Sequence, residues 1–471
     1  MEKKYYTTIG LEVHAELDTV TKMFCSCKND PDEERPNWNI CPICMAHPGT
    51  MPVPNKKAIE SVIRVGLAIN GNIADFTEFD RKNYFYPDIP KGYQITQFKY
   101  PMVSGGELAG VKITRIHLEE DTGTNKHPGG DYSLVDFNRA GVPLMELVTE
   151  PVIHSAKDAG NFGRELQLLL QYLGVSKANM EKGEMRVELN ISVSADPVKF
   201  GTKVEVKNIN SFRAVERAAE YEIERMTELL ESVRGEEIVQ ETRGWDENKQ
   251  ITFSQRKKEN SNDYRYFPDP DITKFKLSEI FNNADLKNNL PELPSAKRIR
   301  YAEKYCIKAE DIESYVTTPE LAHWFEAVAD ILNDKEKIRI ASNYITSDLL
   351  GLQKVNLEAK LPKAGNFAEL IDMVISSKIN SRSAKDILAM IVLVDDSPMK
   401  IATEKDLLQK NDEGALKEIA QKIINANPKV VADYKGGKET AIMGLVGAIM
   451  KETKGSANPA LARQLLIDLL K

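Results

Sequence analysis

Residues 9–17 (IGLEVHAEL) alternate apolar and polar side chains without a break, and no other pattern in the chain restricts its fold as tightly. A period of two is that of a strand, with Ile9, Leu11, Val13 and Leu17 on one face and Glu12, His14 and Glu16 on the other. Same-face neighbours stand two residue rises apart, so two carboxylates and an imidazole line up over a sheet surface. That set suits a metal or phosphate site, although a half-solvated antiparallel strand looks the same when taken alone.

The recurrence of the pattern separates the two readings. Residues 186–193 (RVELNISV) bury Val187, Leu189, Ile191 and Val193 and leave Arg186, Glu188 and Asn190 opposite them. Residues 202–207 turn Val204 and Val206 inward and Lys203, Glu205 and Lys207 outward, and 144–150 (LMELVTE) put Glu146 and Glu150 on one side. Along 113–120 the apolar phase slips between Ile113 and Ile116, as a β-bulge would cause, and Glu119, Glu120 and Asp121 follow at once. A merely solvated face would mix Lys, Thr, Ser and Gln. Here glutamates dominate.

A chain of 471 residues implies two to four domains. No apolar run is long enough to span a bilayer, and the opening MEKKYYTTIG lacks a signal-peptide core, so a cytoplasmic location with no membrane partner is expected. The net charge of −8 argues against broad attraction to nucleic acid but leaves room for a local basic surface. Residues 401–471 carry eleven Lys and Arg against nine Asp and Glu, which makes the tail the less acidic part.

Four of the five cysteines are bunched as Cys25-Ser26-Cys27 and Cys41-Pro42-Ile43-Cys44. Two close thiolate pairs suit tetrahedral zinc, and a shell filled by four sulfurs leaves no position for substrate. The expectation is a structural zinc pinning residues 23–48. Cys306 reads as a small buried apolar residue in a helix.

Taken in order, residues 56–70 have helical periodicity stopped by Asn70-Gly71. Residues 80–91 (DRKNYFYPDIPK) have neither period and read as a surface loop or sheet edge, where Lys82, Tyr84 and Asp88 suit contact with a polyanion or a base. Ser155 to Asp158 resembles a capping box opening a helix to Gly174, and Ser211 caps another running through Glu231. Helices alternating with Glu-bearing strands favour a sheet covered on one side, its polar face open as a cleft. Prolines in LPELPS (290–295) end the strand-like patterning, and DDSP (395–398) separates a terminal unit. Lysines at two glycine turns there, Lys435, Lys438, Lys451 and Lys454, could grip phosphates, although charged turns are also simply solvated. The chain has no G-x-x-x-x-G-K-[ST] phosphate loop and no G-x-S-x-G nucleophile elbow, and Gly105 to Gly110 reads as a turn. The carboxylate-lined sheet fits Mg²⁺ bridging nucleotide phosphates.

Longer runs carry a family resemblance: GLEVHAEL (10–17), FDRKNYFYPDIPKGYQITQF (79–98), RIHLEEDTGT (115–124), DFNRAGVPLMELVTEP (136–151), FGTKVEVKNINSF (200–212), QETRGWDE (240–247), DYRYFPDPD (263–271) and KGSANP (454–459). Collinear along the chain, they resemble the B subunits of the aspartyl/glutamyl-tRNA(Asn/Gln) amidotransferases. The resemblance implies an α+β fold: a glutamine-synthetase-like cradle over 1–294, an all-α helical domain over 295–397 and a small α-helical tail domain over 398–471 that grips tRNA. It implies ATP-dependent phosphorylation of the side-chain carboxylate of Glu on tRNA(Gln) or Asp on tRNA(Asn), then amidation by ammonia. A glutaminase A subunit would supply that ammonia through a tunnel, and a small C subunit would strap the two together. It places Mg²⁺ on Glu12, His14, Glu120 and Glu146, with Glu188 nearby, and the zinc on the four cysteines.

With the strand pattern, the expected catalytic set is Glu12, His14, Glu119, Glu120, Glu146, Glu188 and Lys82, and contact with ATP is assigned to Arg186, Lys207, Tyr84, Asn138 and Arg139. Many family members read Arg-Cys-Asp where this chain has Arg186-Val187-Glu188, so its carboxylate lies one methylene farther out. A stand-alone ATP-dependent amide ligase and a non-catalytic tRNA-binding scaffold are the alternatives. Activity without partners would mark the first, and indifference to loss of the carboxylates the second.

Overall fold

The alternating stretch forms the strand Tyr6–Glu16 (β1), buried on its apolar face by Ile9, Leu11 and Val13. The computed structural model describes residues 4–129, 131–257, 264–409, 413–453 and 457–470. After β1 come helix Lys56–Ala68 (α1), strands Asp80–Asn83 (β2), Tyr93–Thr96 (β3), Val111–Glu120 (β4) and Pro143–Thr149 (β5), then helix Ala156–Leu173 (α2). Strands Met185–Ser194 (β6) and Val204–Lys207 (β7), helix Phe212–Glu231 (α3), and strands Glu241–Asp246 (β8), Ile251–Lys257 (β9) and Phe267–Pro268 (β10) complete the set that builds the site.

Among the described residues the main sheet has ten strands, running β9-β8-β7-β6-β1-β5-β4 and on to two short strands, with a third short strand paired to β4 off this path. Every pairing from β4 to β7 is antiparallel, and β7–β8 alone is parallel. The phase slip read in β4 is a bulge: Arg115 faces Val148 and Ile113 faces Thr149, leaving Thr114 extra. α1 packs against β4, α3 against β6, and α2 against α3. Their apolar stripes, including Phe162, Leu166, Val215 and Ala218, join the inward face of β1 in one cluster. The helices cover that face, and the polar face of β1, β4, β5 and β6 lies on the other side, where Thr96 of β3 reaches Glu119 and His117, Glu119 and Glu146 are buried.

Helix starts follow the side chains expected to cap them. Ser155 Oγ accepts the Asp158 amide at 3.1 Å, Ser211 Oγ accepts that of Ala214 at 3.1 Å, and Gly174 closes α2 in the left-handed region at φ 62°. The segment at 80–91 is more regular than expected, because Asp80–Asn83 pairs with β3 on one side and β10 on the other in a separate three-stranded sheet.

The chain divides into two compact units, Met1–Pro294 and Ser295–Lys471. The described residues of the second form only helices, from Pro294–Tyr305 to Pro459–Leu470. At DDSP, Asp395 caps the helix Ser381–Val394 in the left-handed region and Pro398 opens the next, Pro398–Glu404. That helix packs back on Ala364–Ile375 and Ser381–Val394, and the last apolar cluster begins beyond it, at Leu416. The fold is α+β followed by helices, and no helix among the described residues is long and apolar enough to cross a membrane.

Candidate active site

Cross-strand register assembles the site. Arg186 on β6 faces His14 on β1, His14 faces Glu146 on β5, and Glu146 faces His117 on β4, giving one row across four strands. Directly opposed side chains share a face, so Glu12 and Glu188, opposite each other on β1 and β6, form the adjacent row. Glu119, two residues beyond His117, completes the group.

His14 Nε2 lies 3.3 Å from Glu146, 3.7 Å from Glu119 and 3.9 Å from Glu12. His117 Nε2 lies 3.5 Å from Glu146 and 3.8 Å from Glu119. Glu12–His14–Glu146 and His117–Glu119–Glu146 are thus two possible ligand sets sharing Glu146, each with ligand atoms within 4.8 Å of one another. His117 Nδ1 is buried with no hydrogen-bond partner among the described residues. Carboxylate oxygens and imidazole nitrogens converging on one spot fit a divalent cation, hard or borderline.

The proton affinities follow from this crowding. Burial works against a charged imidazole, but the hydrogen bond to Glu146 and the negative charge of Glu146, Glu119 and Glu188 raise His14 to about 9. Glu12 is pushed up to about 7 by burial and by Glu146 and Glu188. Glu146 goes the other way: burial opposes its ionisation, yet His117, His14 and Lys82 hold it well below the usual carboxylate range. A coordinating imidazole must be neutral and a coordinating carboxylate ionised, so binding a cation must expel protons. The affinity of this group for a divalent cation is therefore expected to weaken about tenfold per pH unit on descending from about 9 to about 7, and more steeply below. Calorimetry in buffers of different ionisation heat measures the released protons. A flat affinity would remove His14 from the ligands.

Lys82 on β2 looks into the same group. Glu119 and Glu146 hold its ammonium charged against the cost of burial, and its Nζ sits 5.1 Å from the Tyr264 ring centroid. Tyr84 lies in the field of Lys82 and Glu119, raised by burial to about 12. Lys207 reaches the rim from β7, 2.8 Å from Glu188 and 3.2 Å from Glu205.

Four expected residues are engaged elsewhere. Glu120 alternates to the other face of β4, where Lys91 Nζ lies 2.6 Å from its carboxylate and Ile95 N donates to it at 3.0 Å. It therefore does not join Glu12, His14 and Glu146, and Glu119 stands in its place. Asn138 is buried and ties down the cysteine loop, accepting from Asn39 N at 2.9 Å and donating to Arg35 O at 2.8 Å, which leaves no amide for a nucleotide. Arg139 points at the Thr122 and Gly123 carbonyls, 3.0 Å each, with Asp121 at 3.6 Å. Arg186 also turns to Asp121, at 2.8 Å. His117 was missed. Its signal was its parity with Glu119, obscured by the more conspicuous Glu119-Glu120-Asp121 run.

Cys25, Cys27, Cys41 and Cys44 come together as a four-sulfur group able to hold a metal ion. A hydrogen bond from Cys25 and the Lys22 ammonium lower Cys44 to about 5, against its burial. Cys306 is exposed at a left-handed position, φ 53°, not buried within a helix. Lys435, Lys438 and Lys451 are exposed, Lys435 and Lys451 in last helical turns, whereas Lys454 lies outside the described residues.

A largely antiparallel sheet bearing a carboxylate–imidazole cluster that could hold a metal ion, followed in the chain by helices, makes this an α+β protein. A model of the GatB/GatE catalytic domain matches residues 7–283 and one of the GatB domain matches 323–470. The chain belongs to the GatB/GatE family. It is similar to the B subunit of the aspartyl/glutamyl-tRNA(Asn/Gln) amidotransferase of Thermotoga maritima, 44% identical over 99% of both chains. That of Crocosphaera subtropica is 42% identical over 100% of this chain and 98% of its own. That of Caldanaerobacter subterraneus is 44% identical over 99% of both.

Proposed function

We propose that this chain activates and amidates the side-chain carboxylate of glutamate or aspartate esterified to tRNA(Gln) or tRNA(Asn), consuming ATP. The observation that carries the reading is the two-histidine, three-carboxylate cluster sharing Glu146. Membership in a family whose relatives are named as amidotransferase B subunits supplies the substrate class.

The substrate carboxylate oxygen attacks the γ-phosphorus of ATP, ADP leaves, and ammonia then displaces phosphate from the acyl phosphate to form the amide. Mg²⁺, when bound, would supply positive charge that offsets the repulsion of the two anions that must meet. Glu12, His14, Glu119, Glu146 and His117 are the residues that would hold it. Lys82 keeps its proton beside Glu119 and Glu146 and so offers a fixed cation to an incoming carboxylate or phosphate. Lys207 does the same at the rim while orienting Glu188. Glutamates on a site for anions are tolerable only with this cationic framing.

Ammonia arrives from a glutaminase A subunit, and a small C subunit joins the two. Zinc occupies the four cysteines as a structural ion. Lys435, Lys438 and Lys451 meet tRNA phosphates as sequence-independent contacts.

The test is the assembled complex with glutamyl-tRNA(Gln) and aspartyl-tRNA(Asn), Mg²⁺ and labelled ATP but no ammonia source, quenched with hydroxylamine. Side-chain hydroxamate, distinct from the α-hydroxamate that hydroxylamine makes from the tRNA ester itself, is expected in amounts matching the ADP released. ADP release unaffected by charged tRNA, or amide formation without ATP, would overturn the proposal.

A further inference from the structure

Phe98 and Tyr266 stack almost face to face, with centroids 4.1 Å apart and planes 5° apart. Phe98 is nevertheless 62% exposed. One ring face is covered and the other meets water, which is an unusual way to leave a phenylalanine beside a buried ionic cluster. The ring is not loose: Asp80, itself buried, accepts the Phe98 and Lys99 amides at 2.8 and 3.2 Å.

The register says where this platform looks. β2 pairs with β3 and β10 so that Lys82 and Gln94 are opposed, as are Asp80 and Thr96. Thr96 Oγ1 donates to Glu119 at 3.0 Å, and the charges of Glu119 and Glu146 reach the Tyr266 hydroxyl. The stacked pair therefore forms the outer lip of the cluster-facing side. Lys99, next in sequence to Phe98, is exposed, its Nζ 5.2 Å from the Tyr100 ring centroid.

We infer that the open face of Phe98 stacks the 3′-terminal adenine of the charged tRNA, holding the esterified amino acid toward the Glu146 cluster. The inference rests on the function proposed above. Single-stranded RNA ends are recognised by splaying a base onto an aromatic ring, with cations meeting the phosphates. A one-sided platform suits a chain end, because the penultimate base can cover the side that the protein leaves open. The adenine of free ATP has no such neighbour and gains more from a pocket enclosing both faces.

The test uses the assembled complex carrying Phe98→Ala, with Phe98→Trp as the conservative variant. Base–aromatic stacking corresponds to roughly a 5- to 100-fold rise in KM for charged tRNA in Phe98→Ala, with KM for ATP within about twofold of wild type. Phe98→Trp should restore tRNA affinity. A 3′-glutamylamido-3′-deoxyadenosine probe should inhibit the wild type and Phe98→Trp competitively against charged tRNA, and inhibit Phe98→Ala far less. An unchanged KM for tRNA overturns the inference, as does a rise confined to ATP or a loss that tracks a lowered melting temperature in both variants. A wild-type complex that makes no amide defeats the functional reading instead, so the two failures are distinguishable.

Discussion

Glu146→Gln in the assembled complex is expected to cut ATP-dependent acyl-phosphate formation at least about 10²-fold, the scale of one lost electrostatic stabiliser. Glu146 is the only residue common to both candidate ligand sets and lies within 3.5 Å of both imidazoles. The amide keeps the shape and removes the charge, so a metal ligand and the counter-charge of His14 disappear together. A direct readout accompanies the rate: because Glu146 helps raise His14 to about 9, its imidazole should titrate lower in the variant, visible by NMR without turnover. Glu120→Gln is the internal control. On the opposite face, bound to Lys91 and Ile95, it should leave Mg²⁺ affinity within about twofold of wild type. Equal weakening of metal binding by both variants would show that Glu120 swings across the strand and that the assignment of Glu119 is wrong.

The strand-borne part of this site was legible because a period of two carries its own geometry. Glu12, His14, Glu146 and Glu188 could be placed on polar faces before any pairing was known, and pairing brought them together. Glu120 failed by the same rule misapplied: adjacent strand residues cannot share a face, so Glu119 and Glu120 could not both join the cluster. The bulge at Thr114 shows why the phase was hard to carry forward, since the extra residue resets which side of β4 points where. Parity counted back from Glu119 would have found His117. Asn138 and Arg139 were beyond such reasoning, because their partners, Asn39 on the cysteine loop and the Thr122 and Gly123 carbonyls, are set by tertiary packing with no period of its own. The platform of Phe98 and Tyr266 joins rings 168 positions apart, and only the small β2–β3–β10 sheet explains their meeting.

Cys44→Ser is expected to abolish stoichiometric zinc, about one ion per chain in the wild type, and Lys22→Met to weaken it about 10- to 100-fold, the range for residues supporting a metal's ligands. Four thiolates around a divalent ion carry a net charge of −2, and such a charge held inside a protein needs a partner. Lys22 is 0% exposed, and no ion pair joins it to a carboxylate among the described residues. Its Nζ donates instead to the carbonyls of Asn39, 2.7 Å, and Phe137, 3.2 Å, while its charge acts on Cys44. One ammonium thus offsets the sulfur cluster and fastens the cysteine loop to the turn before β5. Met23 N reinforces that fastening through Gly141 O at 2.7 Å, and β5 carries Glu146. Methionine keeps the unbranched apolar stem, one atom shorter, but loses the charge and both hydrogen bonds. Zinc release to a chromophoric chelator should accelerate in Lys22→Met, and the melting temperature should fall before any rate measured at low temperature does. Zinc held as tightly in Lys22→Met as in the wild type would mean that the cluster's charge is balanced elsewhere. A Cys44→Ser chain that stays folded, keeps its melting temperature and yet makes no acyl phosphate would give the metal a part in the chemistry, contrary to the closed shell of four sulfurs.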